Sequence, residues 1–290
     1  MELYSIKDLD KLSGIKAHTI RVWERRYRIV KPQRTGTNRR RYDDDDLRRI
    51  INISILRRNG FKISAIAGFS PSEIEQKVAF LSKDLFSPDT QIDSLVVSMI
   101  DRNEKGVNDL LMRSMMNRGM EETMTTVVFP FLQRIGIMWQ TGSADIGSEH
   151  YITNIFRQKL IASIDALSPV QKVKRKKVLL FLPENEFHEI GLLFFHYLIR
   201  KMGHETIYLG QSTPLFAVEH VNNGWEADLI ITGLMSGSPE VNRDDYLKRL
   251  SASFPKQKIL VAGILAETAV KVKHNNVFPL RSSDDLKSFL

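Results

Sequence analysis

The chain has 290 residues, 42% hydrophobic and 26% charged, with 10 prolines, a profile of ordinary folded protein with room for two or three domains of about 100 to 150 residues. It has no cysteine, which excludes disulfides, thiolate zinc sites, iron–sulfur ligation and a cysteine nucleophile, so any metal must be held through His, Asp or Glu. The formal charge of +8 is unevenly spread: residues 1–70 hold 17 Lys and Arg against 8 Asp and Glu, a net +9, which leaves −1 for the other 220.

Clustered cations of this kind point to a nucleic acid, because they gain from releasing the counterions condensed on its phosphates. No run approaches the roughly 18 apolar residues of a membrane span, and the opening MELYSIKDLDKL lacks the apolar core of a signal peptide. A cytoplasmic protein with no membrane partner is expected.

The first elements read as helix, turn, helix. Ile6, Leu9, Leu12, Ile15, Ile20 and Trp23 recur at helical spacing around a break at Ser13-Gly14. The second helix, about Ala17 to Tyr27, is expected to bury Ile20, Trp23 and Tyr27 and to present Arg21, Glu24, Arg25 and Arg28 outward, as a major-groove reader would. Past Pro32, the stretch with Arg34, Gly36, Arg39, Arg40, Arg41 and Tyr42 reads as a short basic ribbon suited to lie along a phosphate backbone. The run Asp43–Asp46 then opens a helix, where carboxylates suit the positive end of the dipole; capping accounts for it without a metal.

Helix-turn-helix, IRVWERRY, the PQRT turn, the RRRY wing and a helix ending in RRNGFKISAI together resemble the DNA-binding domain of MerR-type regulators. The resemblance implies dimeric binding to double-stranded operator DNA, with Thr19, Arg21, Arg25, Arg26, Arg34, Arg39, Arg40 and Tyr42 at the DNA-contacting positions.

From about Pro88, IDSLVVSMI, LLMRSMM, TTVVFPFLQRIGIMW and YITNIFRQKLIASI read as four helices with wide apolar stripes, hence a four-helix bundle. Seven of the ten methionines lie between Met99 and Met138; thioethers fill irregular cores or adapt to bulky ligands, and core filling is the simpler reading. Trp139 is followed, after nine residues, by Glu149 and His150. Taken alone, an adjacent Glu and His are more often a hydrogen-bonded pair than a metal site.

After the basic stretch SPVQKVKRKK, a linker by composition, short apolar strands alternate with amphipathic helices: 178–182, 206–210, 228–232, 258–263 and 277–280. That alternation predicts a five-stranded parallel sheet of the flavodoxin-like, Rossmann type, whose ligands sit beyond the carboxyl ends of the strands. The expected modules are therefore 1–75, 80–168 and 177–290. Immediately after the first strand, Glu186, His188 and Gly191 form ExHxxG. Glu186 suits the second imidazole nitrogen of His188, orienting the ring toward a metal, and Gly191 leaves room for a flat, bulky ligand. His196, His204, His220 and His274 have no comparable setting and read as structural.

ExHxxG in this position resembles the signature of cobalamin-binding domains, in which the histidine is the lower cobalt ligand. The later motifs of those domains, SxL and GG, have near matches in Thr232-Gly233-Leu234 and Ala262-Gly263; the added methyl groups crowd the slot for the nucleotide tail. The three parts in this order resemble the light-responsive cobalamin-binding repressors of the CarH/LitR family. The resemblance implies that Trp139 and Glu149 cap the upper face of adenosylcobalamin and that dark binding assembles a DNA-binding tetramer. Light would then cleave the cobalt–carbon bond, with His150 taking the upper position opposite His188.

Other readings of the residues stay open. The fold can serve a cofactor-independent repressor, dimeric or tetrameric, that answers to an antirepressor protein. It can hold a different tetrapyrrole, or it can belong to a cobalamin enzyme. No nucleophile elbow, P-loop or dinucleotide fingerprint is found, and no turnover is expected.

Overall fold

The structure is a computed structural model that describes residues 3–36, 38–84, 87–140, 146–168, 174–235, 243–263 and 275–290, without the side chains of 79, 82–84, 137–140 and 146. The chain divides into two compact units, Met1–Ile155 and Phe156–Leu290. The side chain of Trp139, and His274 entirely, lie outside the described residues.

The first unit opens with α1 (Ile6–Ser13) and α2 (Ala17–Tyr27). Ser5 and Asp8 form a reciprocal capping box at the start of α1, and Gly14, at φ 70°, ends it in the left-handed conformation that glycine adopts without a Cβ penalty. The Asp10 carboxylate then accepts from the Ala17 amide at 2.9 Å, so the turn is fixed from both sides. Strands β1 (Gln33–Arg34) and β2 (Arg40–Arg41) pair antiparallel as the basic ribbon. Helix α3 (Asp44–Arg58) is capped by Asp43, which accepts from the Asp46 amide at 2.9 Å, so the acidic run does cap. Leu47, Ile50, Ile51, Ile53, Ile55 and Leu56 of α3 are fully buried; a helix apolar on most of its circumference is the centre of a core. Short α4 (Ile63–Ile66) and α5 (Pro71–Asp84) follow.

Four further helices are α6 (Pro88–Ile100), α7 (Glu104–Thr123), α8 (Phe129–Gln140) and α9 (Ile146–Asp165); the boundary between the units falls inside α9. Gly119, at φ 80° and ψ 169°, breaks α7, and a π-helical turn, Met124–Val128, leads into α8. Met99, Met120 and Met124 are buried as core filling requires, whereas Met112 and Met116 are exposed.

The second unit is a parallel sheet of β3 (Lys177–Pro183), β4 (Glu205–Thr213), β5 (Leu229–Gly233), β6 (Lys258–Ala262) and β7 (Val277–Leu280), in the spatial order β4-β3-β5-β6-β7. With β3 as first strand this is the flavodoxin-like order 2-1-3-4-5, and its switch point lies between β3 and β5. Helices α10 (Ile190–Lys201), α11 (Leu215–Trp225), α12 (Arg243–Ser253) and α13 (Ser283–Phe289) complete it. Val178–Leu182 are buried throughout, the continuous apolar run of a strand covered on both faces.

Candidate functional site

Two regions assemble the residues that the sequence singles out. In the first unit, Arg21, Arg25, Arg26 and Arg28 are exposed along and just past α2, Arg34 and Arg39 are exposed on the ribbon, and Thr19 is half-buried. This gives a cationic surface on a helix and a ribbon, the elements that suit groove and phosphate contacts. Arg34 donates to Asn38 Oδ1 at 2.5 Å, and the Arg39 amide donates to the Thr35 hydroxyl at 3.1 Å, which sets the tip of the ribbon.

Glu24, expected to face outward, is instead half-buried. Its carboxylate accepts from Arg40 Nε at 3.1 Å on both oxygens and from the Tyr42 hydroxyl at 3.3 Å. Tyr42 is fully buried, and burial followed by the Glu24 charge pushes its hydroxyl far above the ordinary tyrosine range. Arg40 and Tyr42 therefore fasten the ribbon to α2. Tyr27 is only half-buried, so the buried face of α2 rests on Ile20 and Trp23.

In the second unit the loop after β3 centres on Glu186, which is buried. Its Oε1 accepts from the amides of Phe187 and His188 at 3.0 and 3.1 Å and from His188 Nδ1 at 2.6 Å. Its Oε2 accepts from the Met235 amide at 3.0 Å, in the loop after β5. One carboxylate thus joins the two loops that flank the switch point and orients the His188 ring through Nδ1. The His188 side chain is 59% exposed.

The other positions divide. A Cβ on Gly191 would meet nothing within 4 Å, so the start of α10 stands open there. Gly263 is tightly built in: at φ 109°, a Cβ would lie 2.4 Å from the Leu234 carbonyl oxygen. The Leu234 amide donates to the Ala262 carbonyl at 2.9 Å, which joins the loops after β5 and β6. Thr232 is fully buried, and among the described residues its hydroxyl makes no hydrogen bond. Glu149 is half-buried and His150 exposed at the start of α9, their side chains 3.7 Å apart.

Two findings had no signal in the spacing of the sequence. Glu189, next to His188, is buried and holds both Arg157 of α9 and the Tyr208 hydroxyl, the latter at 2.6 Å. In the first unit, fully buried Asp93 holds Arg134 at 2.7 Å and also Arg58.

Residues 4–73 match the family described as MerR HTH family regulatory protein, and residues 91–162 match the family described as B12 binding domain. The chain thus carries a segment similar to MerR HTH proteins followed by one similar to B12 binding domains. It is 26% identical over 259 residues to the HTH-type transcriptional repressor CarH of Myxococcus xanthus, covering 87% of this chain and 86% of that one. To the repressor CarA of the same organism it is 26% identical, over 74% of this chain and 70% of that one. Among solved structures it is similar to the monomethylamine corrinoid protein of Methanosarcina barkeri, at TM-score 0.49 and 11% identity over 66% of this chain and 92% of that one. The similarity to these two repressors extends along most of the chain and spans both matched segments. Among the described residues, no helix is long and apolar enough to cross a membrane.

Proposed function

We propose that the chain is a transcriptional repressor, not an enzyme, whose oligomerisation and operator binding are set by adenosylcobalamin and by its photolysis in light. The observation that carries the reading is the Glu186–His188 pair at 2.6 Å, placed at the switch point of a doubly wound sheet in a chain that also has a MerR head. An imidazole locked through Nδ1 suits a single lower ligand to a metal already held in a macrocycle. The modules proposed are 1–75 for DNA, 80–168 for the upper face of the cofactor and 177–290 for the lower.

The residues present fit a corrinoid. His188 Nε2 would be the lower ligand, and the open backbone at Gly191 would admit the flat ring. The backbone of Thr232, Leu234, Ala262 and Gly263 would line the tail. Trp139 and Glu149 would exclude water from one face of the cofactor, and His150 would supply a second imidazole to the metal after light. When bound, adenosylcobalamin supplies a light-labile cobalt–carbon bond. The protein's part is a two-state arrangement, populated according to which ligand set holds the metal. An antirepressor protein is a further proposed partner.

A second reading draws on Thr232. Its complete burial, which leaves no exposed hydroxyl to meet a tail, favours a cofactor-independent repressor that keeps the fold for assembly. The test that separates the two is an absorbance spectrum after dark incubation with adenosylcobalamin and desalting, repeated after green light. Retained cobalamin with an irreversible spectral shift, lost in His188→Ala, supports the photosensor, and His150→Ala should retain the dark spectrum but change the product of illumination. Absence of retained cobalamin overturns the proposal in favour of the second reading.

A further inference from the structure

We infer that Glu189 is a positioning residue that ties α9 to the segment carrying His188, so that the imidazole follows the position of this helix. The inference rests on the assignment of His188 as lower ligand, and it begins from a carboxylate that this assignment does not use. Glu189 is only 4% exposed. Removing a carboxylate from water is costly unless its oxygens are paired. Here Oε1 accepts from Arg157 Nε on α9 and Oε2 from the Tyr208 hydroxyl on β4 at 2.6 Å. Both are charge-assisted hydrogen bonds, roughly twice as strong as neutral ones.

The two acidic residues that flank His188 therefore act in different directions. Glu186 binds its own loop and that after β5, whereas Glu189 reaches to α9 and β4. Arg157 follows His150 by seven residues, which in an α-helix places the two on one face, about 10 Å apart along the axis. A displacement of the α9 segment that carries Arg157 accordingly loads the Arg157–Glu189 pair.

The loop between Glu186 and Glu189 is too strongly held to absorb that load within itself. Glu186 accepts from the amides of Phe187 and His188. Gln211 donates to the Phe187 carbonyl at 2.6 Å, and the Ser212 amide to the Glu186 carbonyl at 3.1 Å. The backbone carrying His188 thus moves with Glu189. Arg157, with 46% of its side chain exposed, is the member able to leave into water, and Glu189 with Tyr208 is the seat it leaves.

The test uses the full chain without cofactor and follows hydrogen exchange in Arg157→Met, Arg157→Lys and Glu189→Gln. Arg157 is half-exposed, so its variants are expected to fold. Arg157→Met should speed exchange by about fivefold both in 156–165 and in 186–190, with the β3 and β5 amides unchanged, and Arg157→Lys should partly restore it. Acceleration confined to 156–165, or none, overturns the coupling. In the chain loaded in the dark with adenosylcobalamin, the same variant should alter the rate of the spectral change after illumination; an unaltered rate also overturns it. A wild-type chain that retains no cobalamin removes the functional reading, while the cofactor-free exchange result still decides the mechanical link.

Discussion

Arg134 of α8 donates to Oδ1 of Asp93 on α6 at 2.7 Å, and that carboxylate is fully buried. Its other oxygen is held by Arg58, the last residue of α3. Burial lowers the Arg134 guanidinium to about 10, so the site is dry enough to weaken even an arginine. A single buried carboxylate on α6 thus joins α3 to α8. Arg48 adds a second tie, to Asp101 just past α6 at 2.6 Å.

Asp93→Ala is expected to destabilise the first unit by roughly 3 kcal/mol, because it leaves the largely buried Arg134 guanidinium uncompensated, whereas Arg58, 38% exposed, can turn to water. Calorimetry of the full chain measures it as a fall in the transition of that unit, with the transition of the second unit in place. A change below about 1 kcal/mol would mean that water reaches the cluster and that the apolar contacts of α3 alone hold the head.

The DNA-binding head separates direct from indirect contributions. Arg25 is exposed on α2, and Arg25→Ala should weaken binding to duplex DNA of random sequence and reduce the salt slope by about 1. Glu24→Ala should also weaken binding although it removes a negative charge, because Arg40 and Tyr42 lose the acceptor that fastens the ribbon. Fluorescence anisotropy across salt concentrations distinguishes them. Tighter binding by Glu24→Ala would show that the ribbon needs no such anchor.

The contrast between Glu24 and Arg25 also marks what the sequence can convey. Periodicity located α2 at Ala17–Tyr27 and placed Ile20 and Trp23 in the core, because the 3.6-residue repeat is a local property. The five strands and their order were similarly accessible, since strand–helix alternation permits few topologies. Pairings between residues far apart in sequence were not. Glu24 meets Arg40 across a turn and a ribbon, Asp93 meets Arg58 and Arg134 from three helices, and Glu189 meets Arg157 from α9. Each partner is an ordinary surface residue type, and only tertiary packing brings it to the other. ExHxxG was legible because two of its three residues interact within one loop.

His196 supplies a pH-dependent term. Burial, followed by the nearby Arg200, lowers it from 6.5 to about 4, and its Nε2 lies 3.0 Å from the Thr206 hydroxyl while its ring stacks on Tyr208. The unfolded chain therefore binds the proton more readily between pH 6.5 and 4. The stability of the second unit should fall as pH is lowered through that window and level off below about 4. His196→Gln should flatten this dependence in denaturant titrations at several pH values; an identical pH profile in the variant would assign the loss to other groups.

Two glycines of the second unit should respond in opposite ways to the same substitution. At Gly263, φ is 109° and an added Cβ would sit 2.4 Å from the backbone oxygen of Leu234, so Gly263→Ala must move a loop. A cost of at least 1 to 3 kcal/mol is expected. Gly191, in α10 with no atom within 4 Å of its virtual Cβ, should accept Ala with a gain of roughly 0.5 to 1 kcal/mol from helix propensity. Gly191→Leu should then keep the stability of the cofactor-free chain while reducing retained cobalamin at least about tenfold, since a side chain would fill the space assigned to the ring. Thermal unfolding without cofactor, followed by absorbance after desalting, measures both effects. Equal stability loss at the two positions would mean that the opening at Gly191 closes in solution, and undiminished retention in Gly191→Leu would move the cofactor away from α10.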